Sequence, residues 1–466
     1  MDGHEARLTA LKNLKASRNA QHIILKATEN EICRLQKETS ATTLQRGIQS
    51  LPDDLVREIF EAAFDLYGNE YGSESYPFKL SHVNRRFRAI ALETPRIWTR
   101  LSNVLATDQL KYHIERSKSA GLTIAIRVNM LDDEYGCTVA EFLKITTALC
   151  SHWQNFEYIV GFPVRTEQED YGYTHPALLD YPHLDLPRIT RFLWQKRVYD
   201  ESEDNLYLQT FFEFWNMPKL SDFEGLNVLM NPPLVVSNLA SVTLDFNSEH
   251  ISVWVLDDTL AALASSTRLT YLCITFAEIS SSPLNFQVPP TLLKNLVSFR
   301  VKLLRYIDQR FILTFLSALK MPILTTISFT LNLTLKKREF HEVDFIQEIF
   351  HTSCNYPKLQ NFAMDLTGLP QWNLVVTLGM LLPSLQEVTL RGIGLCPYAA
   401  RLDAPVSWRL VRLRGFDRTS YETVCRMATT DPYLGSCKID IPDERNLSME
   451  AIHLLGDRLI HETCIS

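Results

Sequence analysis

The sequence predicts an α/β protein: a helical N-terminal part followed by an irregular solenoid of parallel strands with helices outside. Three observations predict it. A short pattern, proline–any–leucine followed by alternating apolar residues, recurs between Pro187 and Pro383. Helical patterns lie between its copies. Ahead of the copies, Ser50 to Leu101 carries apolar residues at helical rather than alternating spacing.

At 466 residues the chain is long enough for two or more structural units. Hydrophobic residues at 46% and charged residues at 22% suit a protein that buries a large core. Lys and Arg number 47 against 54 Asp and Glu, a formal charge of −7 that makes no electrostatic case for nucleic acid. No apolar run approaches the roughly 20 residues that span a bilayer. The first residues, MDGHEARLTALKNLKA, have charges spread through them and no apolar signal core. The expectation is an intracellular protein, cytoplasmic or nuclear or both, with no membrane and no nucleic-acid partner. The nine cysteines are scattered without a Cys-x-x-Cys pair, a pattern that argues against a disulfide framework or a zinc site.

Residues 1–48 form the first segment. Ala20 to Arg46 lacks Gly and Pro and is rich in helix formers, so it reads as a helix. Leu25, Ile32 and Thr39 fall seven apart, with Thr28, Leu35 and Thr42 between them. That is a weak heptad, read as a solvated helix or as a weak coiled-coil contact through residues 20–46.

In the second segment, residues 49–103, Leu51-Pro52 opens a helix, with proline expected at its first position. Asp53, Asp54 and Glu58 follow where carboxylates favour the positive end of the helix dipole. Leu55, Ile59 and Ala62 or Ala63 make one apolar stripe. A second helical pattern puts Leu80, Val83, Phe87 and Ile90 on one face, with Arg85, Arg86 and Arg88 elsewhere. Thr94-Pro95 reads as the N-cap and first position of a third short helix holding Ile97 and Trp98. Three helices this short are at the lower limit of independent stability. Some of their apolar surface is therefore expected to meet another protein or the adjoining domain, and Trp98 and Leu101 are expected to pack on the first repeat units.

Three pieces occur in order: L-P-x-x-L-x-x-x-I-F, then L-S-x-V-x-R-x-F-R-x-I-A, then T-P-x-I-W. In this order they resemble an F-box of the kind abundant in mushroom-forming fungi. Asn84 and Phe87 stand where that pattern often has cysteine and tryptophan, and Asp65 to Pro77 lengthens the first connection. The resemblance implies a Skp-type adaptor as partner, and through it a cullin. It places Leu51, Pro52, Leu55, Ile59 and Phe60, with Leu80, Val83 and Phe87 of the later helices, on the adaptor face.

The third segment, residues 104–466, begins with a helix over Asp108 to Ser119, a strand over Leu122 to Met130, a helix over Val139 to Cys150 and a strand over Phe156 to Phe162. The repeat then starts at Pro187, Pro218, Pro322, Pro357 and Pro383, and without proline at Asn238, Arg268 and Asn295. Its leading leucines from Leu220 onward fall at 220, 239, 269, 296, 324, 359 and 385. Proline suits a strand entry, where no ladder donor is needed. Helical patterns over Val255 to Ala264, Arg310 to Leu319, Phe345 to Phe350 and Leu374 to Leu381 separate the copies. A strand and a helix every 20 to 30 residues or so is the rhythm of a leucine-rich-repeat solenoid, in which stacked units share one core. Asn247 and Asn332 stand where such repeats often carry asparagine. Pro405 to Phe416, Tyr421 to Ala428 and Ser436 to Ile441 continue the rhythm, and Met449 to Ile460 is expected to close it as a helix.

Motifs of chemistry are missing. His341-Glu342 lacks the second histidine of a zinc-protease helix, and Gly392-Ile393-Gly394 lacks the rest of a dinucleotide loop. No phosphate loop or Gly-x-Ser-x-Gly elbow occurs. No catalytic, cofactor-binding or metal-binding residue is assigned and no enzyme activity is expected. Alternation turns Thr190, Thr243, Ser298, Thr325, Ser328 and Glu387 outward on the strands, a mixed face that names no ligand. Arg165 to His183 and Tyr199 to Asp204 read as solvated excursions. The expected function is substrate recognition in an SCF-type ubiquitin ligase. The alternative is an F-box-like scaffold that recruits no ligase.

Overall fold

The computed structural model describes residues 50–67, 73–128, 136–161, 175–196, 214–226, 238–246, 253–277, 290–305, 309–332, 342–351, 356–365, 374–392, 406–415, 436–442 and 455–460, with isolated positions elsewhere. Two compact units divide between Trp98 and Thr99. In the first segment Lys26, Thr28, Glu31, Arg34 and Leu35 are helical, as expected. Leu25, Ile32, Thr39 and Thr42 of the heptad lie outside the described residues.

The first unit is built on helices α1 (Asp53–Tyr67), α2 (Tyr76–Ser81) and α3 (Arg85–Glu93), closed by a 3₁₀ turn over Pro95–Trp98. Pro52 sits one residue earlier than expected: its carbonyl accepts the first helical bond, from Val56 N–H at 3.1 Å, so it caps α1. The second predicted helix is broken. Asn84 is extended and its side chain accepts from Phe87 N–H at 2.8 Å, which starts α3 afresh and removes Leu80 and Val83 from the helix of Phe87 and Ile90. Thr94 closes α3 instead of opening the next turn, since its hydroxyl donates to the Ile90 carbonyl at 2.7 Å. The core is aromatic. Phe60 meets Phe87 edge-on at 5.1 Å and Phe78 meets Trp98 edge-on at 5.3 Å. The Trp98 indole N–H donates to Ala91 O at 2.7 Å, which satisfies the polar atom of a fully buried ring within this unit.

The second unit starts earlier than residue 104. Arg100–Ser102 is its first strand, β1, paired in parallel with β2 (Leu122–Val128). Leu101, expected on the first repeats, joins their core. Helix α4 (Thr107–Ser117) connects β1 to β2, and α5 (Val139–Thr146) followed by a 3₁₀ turn connects β2 to β3 (Trp153–Val160). The strands that follow coincide with the repeats: β4 (Arg191–Lys196), β5 (Asp222–Leu226), β6 (Ser241–Phe246) and β7 (Tyr271–Phe276). After a short β8 (Thr291–Leu292) come β9 (Ser298–Leu304), β10 (Leu319–Lys320), β11 (Thr326–Asn332), β12 (Asn361–Asp365), β13 (Glu387–Arg391), β14 (Leu410–Arg414), β15 (Lys438–Asp440) and β16 (Leu459–Ile460). All but β8 and β10 form one 14-stranded sheet in chain order, and those two pair with each other. Each strand of the large sheet pairs in parallel with the next, so no two neighbours can be joined by a hairpin.

One face of the sheet carries the core. Alternation sends Leu101, Ile124, Phe156, Phe192, Phe223 and Val242 inward, and because these are register partners they form one ladder that continues through Phe299 to Ile439, buried throughout. Helices close it from outside. They include α6 (Pro176–Leu179), α7 (Val253–Ser265), α8 (Gln309–Ala318), α9 (Glu342–His351) and α10 (Leu374–Leu381), with Phe311 and Phe315 of α8 each 5.5 Å from the Phe276 ring.

The repeat prolines have a different task from the one expected. Leu220, Leu324, Leu359 and Leu385 each donate their N–H to the carbonyl three residues back, at 3.2–3.3 Å. Proline is therefore the second residue of a β-turn, where its fixed φ fits, and the turn delivers leucine into the core. Other departures are local. Asn332 is exposed at the end of β11, while Asn247 lies outside the described residues. Of the expected closing helix Ile452, His453 and Leu455 are helical, but Gly456–Arg458 is a 3₁₀ turn and Leu459–Ile460 is β16, which extends the sheet beside β15. Most of Arg165 to His183 and all of Tyr199 to Asp204 lie outside the described residues. The end of the first tract is packed, however: Pro176–Leu179 is helical, with Leu178 buried.

Candidate docking surface of the helical unit

Helix α1 presents two apolar faces. Val56, Phe60 and Phe64, four apart, are buried against α3 and the 3₁₀ turn. Leu55 and Ile59, also four apart, are 44% and 50% exposed. The stripe that the spacing marked as apolar is thus a solvent-facing one, and the internal stripe is its neighbour 100° around the helix. Phe60 is corrected accordingly. At 3% exposure, with its ring against Phe87, it belongs to the core and cannot meet a partner directly.

The remaining predicted residues divide by exposure. Pro52 is exposed, Leu51 and Leu80 are half-buried, and Val83 stands 59% exposed in the turn between α2 and α3. Phe87 is half-buried because its ring also serves the core. Arg86 brings the ends of α1 and α3 together. Its guanidinium bonds Asp53 Oδ1 at 2.7 Å, the Ile48 carbonyl at 3.1 Å and the Leu51 carbonyl. At the other end Arg96 bonds Asp65 at 2.7 Å, tying the 3₁₀ turn to α1. These ion pairs are solvent-exposed and worth little individually.

One exposed residue was missed by sequence reading. Leu66, 79% exposed, falls seven after Ile59 and prolongs the same stripe by two turns. The helical spacing alone would have found it, since a stripe of Leu55, Ile59, Ala62 and Leu66 is continuous.

The sheet's outward face differs in kind. Thr243, Ser298, Ser328 and Glu387 are half-buried there, as expected, whereas Thr190 and Thr325 lie just ahead of β4 and β11 at the parity of the inward Phe192 and Ile327, so alternation does not turn them onto this face. Many charges on this face are paired between neighbouring strands: Arg191 with Glu224 at 2.8 Å, Arg412 with Glu387 at 2.6 Å and Arg414 with Asp440 at 2.8 Å. At its start Arg100 and Glu157 form an ion pair with both side chains under a tenth exposed. The described cysteines, Cys137, Cys150, Cys273, Cys425 and Cys437, are free thiols. Among the described residues no group of His, Cys, Asp or Glu is placed to hold a metal, and no helix is long and apolar enough to cross a membrane.

No protein-family model matches the chain, and no curated protein matches it. Among solved structures it is similar to a chain in the crystal structure of a TLR13–ssRNA13 complex, at 10% identity and a TM-score of 0.31. The likeness covers 78% of this chain and 54% of that one, so this chain spans about half the other's length. At that TM-score the likeness carries no functional inference.

Proposed function

We propose that this protein is the substrate-recognition subunit of an SCF-type ubiquitin ligase, acting inside the cell. The helical unit is the F-box and docks on a Skp-type adaptor, and through it on a cullin. The second unit is a leucine-rich-repeat solenoid that holds a target protein. One observation carries the reading: Leu55, Ile59 and Val83 stand exposed on the unit whose ordered motifs resemble an F-box. Large apolar side chains grouped on so small a unit mark a protein contact. The adaptor face comprises Leu51, Pro52, Leu55, Ile59, Leu80 and Val83, with Phe87 at its edge and Phe60 beneath it as support. The mechanism is positional. Tethering raises the target's effective concentration at the ubiquitin-loaded enzyme, toward about millimolar for a short tether, and no residue of this chain performs covalent chemistry.

Copurification with the adaptor tests this. Wild type should recover adaptor and cullin together, whereas a Leu51→Asp, Pro52→Ala double variant should lose both, since truncating a central anchor typically costs about 2 kcal/mol or more. Equal, background recovery from both proteins sinks the proposal. Recovery of adaptor without cullin supports the second reading, a scaffold without ligase recruitment. The observation favouring that reading is Phe87, whose ring is partly withdrawn into the core against Phe60.

A further inference from the structure

The centre of the sheet's outward face is a grid of nine register-matched positions on β7, β9 and β11. Its rows are Tyr271–Ser298–Thr326, Cys273–Arg300–Ser328 and Thr275–Lys302–Thr330. Phe299, Val301 and Leu303 alternate with the middle column and are fully buried, which turns Ser298, Arg300 and Lys302 outward. Arg300 is exposed and Lys302 half-buried. The grid holds two cations, six hydroxyls and a thiol, and no carboxylate.

Elsewhere on this face arginines are neutralised from the adjacent strand, as Arg191, Arg412 and Arg414 are. Among the described residues Arg300 and Lys302 have no carboxylate as register partner on either adjacent strand. The flanking carboxylates are Asp245 beside Thr275 and Asp365 beside Thr330, each two strands from Lys302. At strand spacings near 4.8 Å their backbones are about 10 Å apart, and among the described residues neither carboxylate forms an ion pair with Lys302 or Arg300. Asp365 is moreover turned to Arg391, at 3.8 Å. The field of the two cations is felt inside the grid. Burial pushes the Cys273 thiol up, Lys302 pulls it back, Asp245 pushes it up again and Arg300 opposes; burial and then Cys273 raise the Tyr271 hydroxyl, and Arg300 opposes them.

We infer that this grid binds an extended acidic segment of a protein partner, with carboxylates at alternate residues seated on Arg300 and Lys302. The spacing fits, because Arg300 and Lys302 are two residues apart on one strand, about 6.6 Å, and so are same-face side chains of any extended peptide. Thr275 and Cys273 are buried, and the hydroxyls of the half-buried Tyr271, Ser298, Thr326, Ser328 and Thr330 supply donors for the remaining carboxylate oxygens. Nucleic acid fits less well: two cations neutralise few phosphates, and the grid offers one aromatic ring where stacking platforms use several. The inference rests on the reading of the second unit as the target-holding part and names the chemistry of the target.

The test uses the full chain and three fluorescein-labelled probes: a peptide of alternating Glu and Ser, the same peptide with Gln for Glu, and an oligothymidylate. The Glu peptide should bind, more weakly as salt rises, and Arg300→Gln with Lys302→Gln should weaken it at least about tenfold. Lys438→Gln, an exposed cation at the far end of the face, should change it by less than about twofold. Both substituted residues reach solvent, so an unchanged unfolding midpoint is expected of the double variant. Failure of wild type to bind the Glu peptide, equal binding of the Gln peptide, tighter binding of the oligothymidylate, or no effect of the double substitution overturns the inference. Adaptor capture on the same variants separates the two readings. Peptide binding without adaptor capture defeats only the ligase reading, and adaptor capture without peptide binding defeats only this one.

Discussion

The two units solve the burial of apolar side chains in opposite ways. In the helical unit Leu55, Ile59, Leu66 and Val83 all stand more than two-fifths exposed. In the 14-stranded sheet no described strand residue is a large exposed hydrophobe; the ladder from Leu101 to Ile439 is buried from end to end. The difference follows from geometry. Each repeat covers the apolar face of its neighbour, so the array needs nothing from outside to complete its core. A short three-helix unit has only one interior, and α1 carries two apolar stripes. One of them is left over. Exposed apolar residues thus mean little in a long solenoid's flanks but carry information in a small unit.

The largest expected effect breaks the comparison at the sheet. Phe299 lies midway along the ladder, fully buried between Leu272 and Ile327. Phe299→Ala should cost about 3–5 kcal/mol, by lost transfer energy and by the cavity left behind. Urea denaturation followed by circular dichroism reads it directly. A cost under about 1 kcal/mol would mean that the repeats do not share a continuous core.

A smaller effect sharpens the contrast through pH. Burial pushes the thiols of Cys137 and Cys437 up to about 11 and that of Cys425 to about 12, from an ordinary value of 9.0. All three lie in the repeat unit, and Ser50 to Trp98 contains no cysteine. Below about pH 9 both folded and unfolded chains keep these thiols protonated, and the contribution is fully present. Between about pH 9 and pH 11 the unfolded chain ionises first, so stability falls as pH rises, on the order of 1–2 kcal/mol per thiol. Replacing Cys437 and Cys137 by Ala should flatten that slope. An unchanged slope would assign the alkaline loss to other groups.

Much of the array was legible because its constraint is periodic. A leucine delivered by a turn into a shared core must recur, and Leu220, Leu239, Leu269, Leu296, Leu324, Leu359 and Leu385 are all buried. What stayed hidden was not periodic. Arg100–Ser102 is too short to show alternation, and its strand character comes from pairing with β2. The break at Asn84 depends on a side chain choosing to cap rather than continue a helix, which propensity alone does not decide. In the candidate docking surface, spacing identified an apolar stripe on α1 but not which stripe faces inward. That choice was made by the partners of Phe60 in α3, through tertiary contacts absent from the local pattern. The fold was therefore easier to read than the site.

The smallest expected effect on stability is also the closest comparison, between adjacent residues of one helix. Ile59 is 50% exposed and Phe60 is 3% exposed, although both are large and apolar and both occur in the motif. If the exposed stripe serves a partner and not the fold, Ile59→Ala should change the unfolding free energy by no more than about 0.5 kcal/mol, as for surface substitutions generally. Phe60→Ala should cost about 3 kcal/mol or more, because it empties the space beneath Phe87. The two variants should then change places in an adaptor-binding assay carried out below the unfolding transition. Ile59→Ala should weaken capture while leaving the helical unit folded, and whatever Phe60→Ala loses should track the fraction unfolded. If Ile59→Ala destabilises as much as Phe60→Ala, both stripes are core, and the helical unit has no free apolar face to offer.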